Sequence, residues 1–234
     1  MIRRVIIGLL DTGLSGHLAG RTLLSRRFWL DRLGRVAEGP ARPDLMGHGT
    51  ALAELIAERN QSAKLLNAQV FDTEGVSAPV TIAAGLRWLV ENGARIVNMS
   101  FGLREDRRIL AEACDEAVRR GVLLVASVPA MGEMVYPAAY PGIVRVTGDG
   151  RCQSDEISLM EDGRVRFGAS PRLIMPAGRP HPVMAGASVA TARVTMRLTR
   201  LLTEFPDAGN DDLLACLTRS AAHLGPQREH LHAS

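Results

Sequence analysis

The chain has 234 residues, of which 46% are apolar and 23% are charged, so it can form one sizeable hydrophobic core and is too apolar to be disordered. Its net charge of +3 comes almost entirely from arginines spread along the chain, and aromatic residues make up only 4%. Nucleic-acid grooves need clustered cations and aromatic stacking, so no nucleic-acid partner is expected. No stretch reaches the roughly 18 apolar residues of a membrane span, so no membrane partner is expected either. We expect a single domain over residues 1–234, with a flexible tail from about 224 to 234.

The cysteines and the N-terminal residues bear on the cellular compartment. Cys114, Cys152 and Cys216 are odd in number, far apart and without a CxxC spacing, which predicts free thiols in a reducing compartment and no zinc site. The apolar run at 5–10 is shorter than the roughly 7 to 15 residues of the apolar region of a signal peptide, and it is predicted to be a buried strand. We therefore expect a cytoplasmic protein.

Short apolar runs alternate along the chain with longer helical patterns. In order, they are a strand at 5–10, a helix at 45–59, a strand at 64–71, a helix at 80–93, a strand at 95–102, a helix at 107–121, and strands at 122–127 and 142–148. The apolar strands are continuous, which indicates burial on both faces and hence a parallel sheet between helices. The pattern predicts an α/β fold, a three-layer sandwich with a mainly parallel central sheet.

Beyond Gly150 the pattern is weaker. Residues 151–180 predict two or three short strands, with turns at 162–163 and 177–178. A helix is predicted to start near Ser188. A last helix is predicted from about 211 to 222, where Asp211 and Asp212 favour its N-terminus.

Three reactive side chains lie where strands end and helices begin, which is where α/β sheets bind ligands. Asp11 ends the first strand, His48 precedes a helix in Gly-His-Gly-Thr, and Ser188 opens the helix that follows AGA. A carboxylate, an imidazole and a hydroxyl are the orienter, general base and nucleophile that acyl transfer requires. Small neighbours would leave the hydroxyl accessible, and the helix start would aim the Ser188 N–H at a developing oxyanion. Taken singly, the three could instead be a turn residue, a packed histidine and a helix cap.

The order Asp, His, Ser and six short motifs resemble those of the subtilisin-like serine proteases. The motifs are DTG at 11–13, HGT at 48–50, VNMSFG at 97–102, VYPAAYPGIVRVTG at 135–148, LIMPAG at 173–178 and GASVA at 186–190. The resemblance covers about residues 5 to 202 and implies a subtilisin-like fold and a serine endopeptidase whose partner is a polypeptide substrate. By the resemblance, Ser188 attacks the peptide carbonyl, His48 moves the proton, and Asp11 holds the imidazole.

The chain departs from the family pattern at the oxyanion hole. Aligned without gaps, the family's side-chain donor, an Asn, falls on Ala130, and the Gly before it falls on Pro129. Loss of such a donor lowers turnover by about 10² to 10³-fold in subtilisins. The resemblance thus implies a reduced oxyanion hole in which the Ser188 N–H remains, unless another group, for example from an accessory protein, completes it.

The resemblance also implies where a peptide binds, as a strand added between two edges of the enzyme. These edges are Gly75, Val76, Ser77 and Ala78 on one side, and Ser100, Phe101 and Gly102 on the other. The pocket for the residue before the cut, walled by Gly and Ala in the family, is here walled by Val128, Pro129 and Val135. We expect the smaller pocket to select Gly, Ala or Ser.

Two further departures concern cofactors and processing. The segment between the helix after His48 and the strand at Leu65 is too short for the family's calcium loop, so neither a metal nor another cofactor is expected. Because Asp11 lies so near Met1, no pro-segment is expected. The chain therefore resembles the small intracellular proteases that remove leader peptides from ribosomally made precursors, and its substrate is expected to be such a precursor.

Two alternatives stay open. The first is a catalytically inactive subtilisin-like protein that only binds an extended peptide, which Ala130 motivates. The second is an α/β-hydrolase in which Asp207 or Asp211 and then His223 follow Ser188. That fold needs GxSxG, but residue 190 is Ala, and the hypothesis leaves DTG and HGT unexplained.

Overall fold

The computed structural model describes residues 4–160, 163, 165–173 and 186–226. The strands in this part of the chain are β1 (Ile6–Asp11), β2 (Thr22–Leu30), β3 (Val36–Pro40), β4 (Lys64–Gln69), β5 (Ile96–Met99), β6 (Leu123–Ser127), β7 (Val144–Gly148), β8 (Ile157–Leu159), β9 (Phe167–Ala169) and β10 (His223–Leu224). The α-helices are α1 (His48–Ala57), α2 (Pro79–Glu91), α3 (Arg108–Arg119), α4 (Ala187–Glu204) and α5 (Asn210–Arg219), and a 3₁₀ helix spans Gly16–Arg21.

All the strands join one sheet, in the order β10-β8-β9-β7-β6-β5-β1-β4-β2-β3. Neighbours run parallel except for two pairs, β2 with β3 and β8 with β9. Alternate residues of the central strands enter two separate cores. Leu9, Leu65 and Ile96 pack with the helices α1, α4 and α5, whereas Leu10, Leu66 and Val97 pack with α2 and α3. The predicted three-layer sandwich with a mainly parallel sheet is confirmed, because the central strands are buried on both faces.

The hairpin of β2 and β3 is absent from the sequence-based prediction. Much of β2 is exposed, and its charged residues interrupt the apolar run that identifies buried strands. The hairpin turn is held by Asp31, whose carboxylate accepts the N–H groups of Leu33 and Arg35 at 2.8 and 2.9 Å. Gly34 supplies the positive φ of 72° that this turn needs.

Of the two or three short strands predicted after Gly150, the described residues contain β8 and β9. Residue 162 of the turn predicted at 162–163 lies outside the described residues. The turn predicted at 177–178, most of the LIMPAG motif and residues 227–234 lie outside the described residues. At the start of the predicted tail, Leu224 belongs to β10, and the Gly225 N–H donates to the Leu159 carbonyl oxygen at 2.9 Å. The chain is therefore attached to the sheet up to residue 225.

Candidate active site

The three candidate catalytic residues come from three elements that meet at one end of the sheet. Asp11 is the last residue of β1, His48 the first residue of α1, and Ser188 the second residue of α4. The side of the sheet where parallel strands end is also where helix N-termini gather. Helices α1 and α4 pack on the same face, so the topology brings their first turns towards the end of β1.

Asp11 and His48 form a direct hydrogen bond. The imidazole Nδ1–H donates to the Asp11 Oδ1 at 2.7 Å, and the exposed fractions of the two side chains are 3% for Asp11 and 28% for His48. A carboxylate can only accept, so the proton lies on Nδ1, and Nε2 is free to take a second proton. Burial of His48 works to lower its pKa, but the hydrogen bond and charge of Asp11, helped by the charge of Asp44, outweigh it, and the pKa of His48 is raised. This arrangement suits a general base.

The DTG and HGT turns are held together by the hydrogen bonds of one threonine and by the close approach of two glycines. The Thr12 hydroxyl accepts the Gly49 N–H at 2.9 Å, and the Thr12 N–H donates to the Asp11 Oδ1 at 2.8 Å. A Cβ on Gly49 would lie 2.4 Å from the Gly13 carbonyl oxygen, and Gly13 itself has a φ of 121°. Only glycine fits these two positions, which explains why both motifs carry it.

Asp44 anchors the loop before His48, and the sequence-based reasoning did not identify it. Its carboxylate accepts from the Thr12 hydroxyl (2.9 Å), the Gly47 N–H (2.9 Å), and the N–H and hydroxyl of Thr50 (2.9 and 2.7 Å). These four bonds fix the turn into α1 and thus the position of the imidazole. The available signal was an Asp three residues before a glycine, a spacing typical of side chains that cap a turn.

Ser188 is hydrogen-bonded to Ser100, the residue that follows β5. Its hydroxyl donates to the Ser100 carbonyl oxygen at 3.1 Å, and the Ser100 hydroxyl donates to the Ser188 carbonyl oxygen at 3.2 Å. Strand β5 is paired with β1 through Leu9 and Asn98, and two further residues along this register bring Ser100 beside Asp11. Within the described residues, the hydrogen bonds of the site thus form two groups around Asp11 and Ser188, and none joins the Ser188 hydroxyl to His48.

A chain of buried polar groups holds the start of α4 against β5. The Thr195 hydroxyl donates to Asn98 Oδ1 at 2.9 Å, and Asn98 Nδ2 donates to the Ser100 hydroxyl at 2.9 Å. Asn98 and Thr195 are both fully buried. This series of hydrogen bonds ends at Ser188, so it fixes the position of the first turn of α4. Thr195 carries no local sequence signal, since its role depends on a contact with Asn98 that is 97 residues away in sequence.

The region assigned to the oxyanion hole is partly exposed. Pro129 and Ala130 are exposed in the bend after β6, and a methyl group cannot donate a hydrogen bond. Ser188 lies in the first turn of α4, where N–H groups have no partner within the helix. Its backbone N–H is therefore oriented to bind a negative charge.

The edges assigned to substrate binding run beside this site. Gly75–Ala78 is an irregular segment before α2, with Val76 60% exposed, and Ser100–Gly102 continues from β5. The side chain of Val135 covers Gly102, because a Cβ there would lie 2.6 Å from Val135 Cγ2. Val128 is fully buried, so its side chain is part of the core.

Within the residues that the structure describes, no group of three or more His, Cys, Asp or Glu side chains could hold a metal ion. No helix in the same part of the chain is long and apolar enough to cross a membrane. Cys114, Cys152 and Cys216 are all free.

The fold places Asp11, His48 and Ser188 at one end of the sheet, and a family model identifies the class of protein. The model of the subtilase family, Peptidase_S8, matches residues 3–233, and the chain belongs to this family of serine endopeptidases. The α/β-hydrolase hypothesis is therefore wrong. Its proposed histidine, His223, lies in β10 at the edge of the sheet.

Characterised relatives are similar along almost the whole chain. A thermostable alkaline protease of Halalkalibacterium halodurans is 26% identical over 94% of this chain and 62% of its own length. Subtilisin BL of Lederbergia lenta is 28% identical over 94% of this chain and 84% of its own length. The chain thus spans less than two thirds of the first of these relatives.

Solved structures share the fold. A lanthipeptide protease superposes with a TM-score of 0.74 at 20% identity, covering 95% of this chain and 81% of the other. A cold-adapted subtilisin-like serine proteinase gives 0.73 at 20% identity, covering 93% and 84%. Fervidolysin from Fervidobacterium pennivorans gives 0.65 at 23% identity, covering 88% of this chain and 37% of the other.

Proposed function

We propose that the protein is a serine endopeptidase in which Asp11, His48 and Ser188 act as one catalytic triad. The observation that carries the proposal is the hydrogen bond from His48 to Asp11 at the end of β1, where the register with β5 leads to Ser100, the hydrogen-bond partner of Ser188. The bond leaves Nε2 of the imidazole free to act as a base.

The reaction follows from these positions. The Ser188 hydroxyl turns from the Ser100 carbonyl oxygen to the imidazole, gives its proton to Nε2 and bonds to the peptide carbonyl carbon. The Ser188 N–H stabilises the oxyanion. The C–N bond then breaks, and the imidazolium returns the proton to the leaving amine. Water, deprotonated by the same imidazole, releases the acyl group and restores the hydroxyl.

The oxyanion hole is proposed to be weaker than in relatives that carry an Asn at the position of Ala130. Loss of that donor corresponds to about 10² to 10³-fold in turnover, so the enzyme works slowly, or an accessory protein supplies the missing donor. The pocket before the cut is proposed to accept Gly, Ala or Ser, a preference supported by Val135 covering Gly102.

The biological role is proposed to be selective removal of a leader from a peptide precursor in the cytoplasm. Slow catalysis suits a protease that acts on one precursor, and the shared fold with a lanthipeptide protease points to peptide maturation. The three free thiols suit a reducing compartment. One specific case is the leader-peptide protease that serves maturation of the small subunit of quinohemoprotein amine dehydrogenase.

The alternative is an inactive subtilase that only binds an extended peptide. Ala130 and the hydrogen bond of the Ser188 hydroxyl to Ser100 favour it. Mass spectrometry of candidate precursors and of a peptide library, incubated with wild type and with Ser188→Ala, separates the two. We expect cleavage only by the wild type, after small residues. Binding without cleavage would favour the inactive protein, and preferred cleavage after Phe or Leu would contradict the small pocket.

A further inference from the structure

A pocket of about 350 Å³ lies next to Asp11 and His48. It is lined by Thr12, which follows Asp11, and by Met46, which precedes His48 by two residues. Arg27, Arg42 and Asp72 contribute the charged groups of its wall. The pocket therefore joins the candidate catalytic pair to a surface that carries two positive charges and one negative charge.

The backbone at Arg42 is held in place by Gln69, at the end of β4. The Arg42 N–H donates to Gln69 Oε1 at 2.8 Å, and Gln69 Nε2 donates to the carbonyl oxygens of Thr12 at 2.7 Å and of Arg42 at 3.2 Å. Gln69 is only 5% exposed, so this amide is a fixed bridge. The distance between the Arg42 backbone and the end of β1 is thus set by hydrogen bonds to the buried Gln69 amide.

Arg27 approaches the same space from β2. Its guanidinium lies over the Trp29 ring, 5.2 Å from the centroid, which limits its freedom. Partial burial and, next, the charge of Arg42 lower the pKa of Arg27, while the charge of Asp72 opposes them. Both arginines line this pocket, and within the described residues neither has an ion pair within 4 Å.

The negative group in the wall is already engaged. Asp72 Oδ1 accepts the N–H groups of Glu74 and Val76, both at 2.9 Å. Because two arginines and one aspartate line it, the pocket has an excess of one positive charge, which a carboxylate would neutralise and an ammonium group would increase. Guanidinium groups bind carboxylates with well-defined geometry.

Apolar groups complete the pocket. Leu45 is 77% exposed and Met46 38% exposed, and Phe71 also lines the wall. An apolar wall that leads to two arginines suits a side chain with a methylene stem and a carboxylate end, such as glutamate.

The pocket adjoins the edge that holds the substrate in the proposed function. Met46 lies against this edge, because a Cβ on Gly75 would be 3.5 Å from its Cε. Asp72, in the pocket wall, binds the N–H of Val76 in the same edge. A peptide on that edge would direct one of its side chains towards the pocket, since neighbouring side chains of an extended strand point in opposite directions.

We propose that this pocket selects polypeptides that carry an acidic side chain two to four residues before the bond that is cut. The inference rests on the proposed endopeptidase function and names a feature of its substrate. Arg27 and Arg42 are its specificity-determining residues.

The test uses peptides with Ala before the bond and Glu, Gln or Lys at each of the three preceding positions. At one position we expect kcat/KM for Glu to exceed that for Gln by about 5-fold and that for Lys by about 10-fold or more, mainly through KM. Added salt should reduce the preference, because the arginines are partly exposed. Equal values of kcat/KM for Glu, Gln and Lys at every position would overturn the proposal.

The arginines are tested by the ratio of kcat/KM for the Glu peptide to that for the Gln peptide. Arg42→Gln and Arg27→Gln should each bring this ratio towards 1, and Arg42→Glu should make the Lys peptide the better one. The matched control is Arg26→Gln, on the same strand, because Arg26 pairs with Glu38 at 3.1 Å and should leave the ratio unchanged. A ratio that stays the same in all the Arg42 and Arg27 variants would refute the assignment.

Failure of the pocket can be told apart from failure of the catalytic proposal. Binding of dye-labelled, uncleaved peptides to Ser188→Ala is followed by fluorescence anisotropy. If the wild type cleaves nothing but Ser188→Ala prefers the Glu peptide through Arg42, the pocket assignment stands and catalysis fails. If cleavage occurs without preference for Glu, the catalytic proposal stands and the pocket assignment fails.

Discussion

The hydrogen bond between Asp11 and His48 decides which nitrogen of the imidazole carries its proton. An amide in place of the carboxylate can donate to Nδ1 and stabilise the tautomer with the proton on Nε2, which cannot accept the proton of Ser188. We expect Asp11→Asn to lower kcat for peptide cleavage by roughly 10³ to 10⁴-fold while the circular dichroism spectrum is unchanged. A variant with near-normal kcat would show that Asp11 has no part in the reaction.

The protonation of His48 gives a second test. Burial acts to lower its pKa, but Asp11 and then Asp44 raise it more, so the imidazole titrates above the ordinary value of about 6.5. A general base must be neutral, and kcat/KM should therefore rise with pH through the raised pKa. The pair stabilises the fold fully below the unfolded pKa, and this stabilisation is lost as pH rises through the folded pKa. NMR titration of His48 measures the value directly, and a midpoint at or below 6.5 would contradict the assignment.

Two loops, the DTG turn after β1 and the HGT turn into α1, must approach each other closely for the pair to form. Gly49→Ala would place a methyl group 2.4 Å from the Gly13 carbonyl oxygen. We expect it to lower the free energy of unfolding by about 1 to 3 kcal/mol, measured in urea, and to reduce activity. The control is Gly20→Ala, in the 3₁₀ helix, where no atom lies within 4 Å of the added Cβ. Equal stability of the two variants would argue against the close packing.

Helix α4 carries Ser188 and is attached to β5 by Thr195. Thr195→Val keeps the shape of the side chain but leaves Asn98 Oδ1 buried without its donor, at a cost of about 1 to 3 kcal/mol in unfolding free energy. We also expect a lower kcat with little change in KM, because the link leads to Ser188. Thr203→Val removes a hydroxyl that bonds only to Thr199 of the same helix, and it serves as the control. A kcat effect as large in the control would remove the special role of Thr195.

Two of the three cysteines are buried: Cys114 belongs to the core beside α2 and α3, and Cys152 lies in the segment between β7 and β8. Burial raises the pKa of the Cys114 thiol to about 12 and that of Cys152 to about 11, whereas Cys216 is half-buried. Alkylation needs the thiolate, so iodoacetamide at pH 8 should modify Cys216 first in the folded protein and all three thiols in urea. Peptide mapping by mass spectrometry measures this. Alkylation of Cys114 as fast as Cys216 without denaturant would contradict the buried position.

The central part of the fold was predictable because its strands are buried on both faces. Strands such as β1 and β5 are short continuous apolar runs, and the helices between them have clear periodicity. The hairpin of β2 and β3 was not predictable in this way, because it contains no continuous buried apolar run. Edge strands depend on pairing with a neighbour, and pairing is not written in local sequence.

The candidate site, like the fold, has one part that could be predicted from the sequence and one part that could not. Asp11, His48 and Ser188 stand in short motifs whose residue types carry the chemistry, so they could be named from the sequence. The residues that hold these three in place could not be named from the sequence, although Asp44 carries a local turn signal. Gln69 and Thr195 act through tertiary contacts with residues far away in sequence, and a buried amide or hydroxyl has no local signature of such a role.

The proposed function depends on whether the Ser188 hydroxyl is activated by His48. The most direct measurement is labelling of the folded protein with a fluorophosphonate, followed by peptide mapping of the modified residue. We predict one label on Ser188 in the wild type, none in Ser188→Ala and a strongly reduced rate in His48→Ala. A folded wild type that remains unlabelled, or a label on another residue, would contradict the triad.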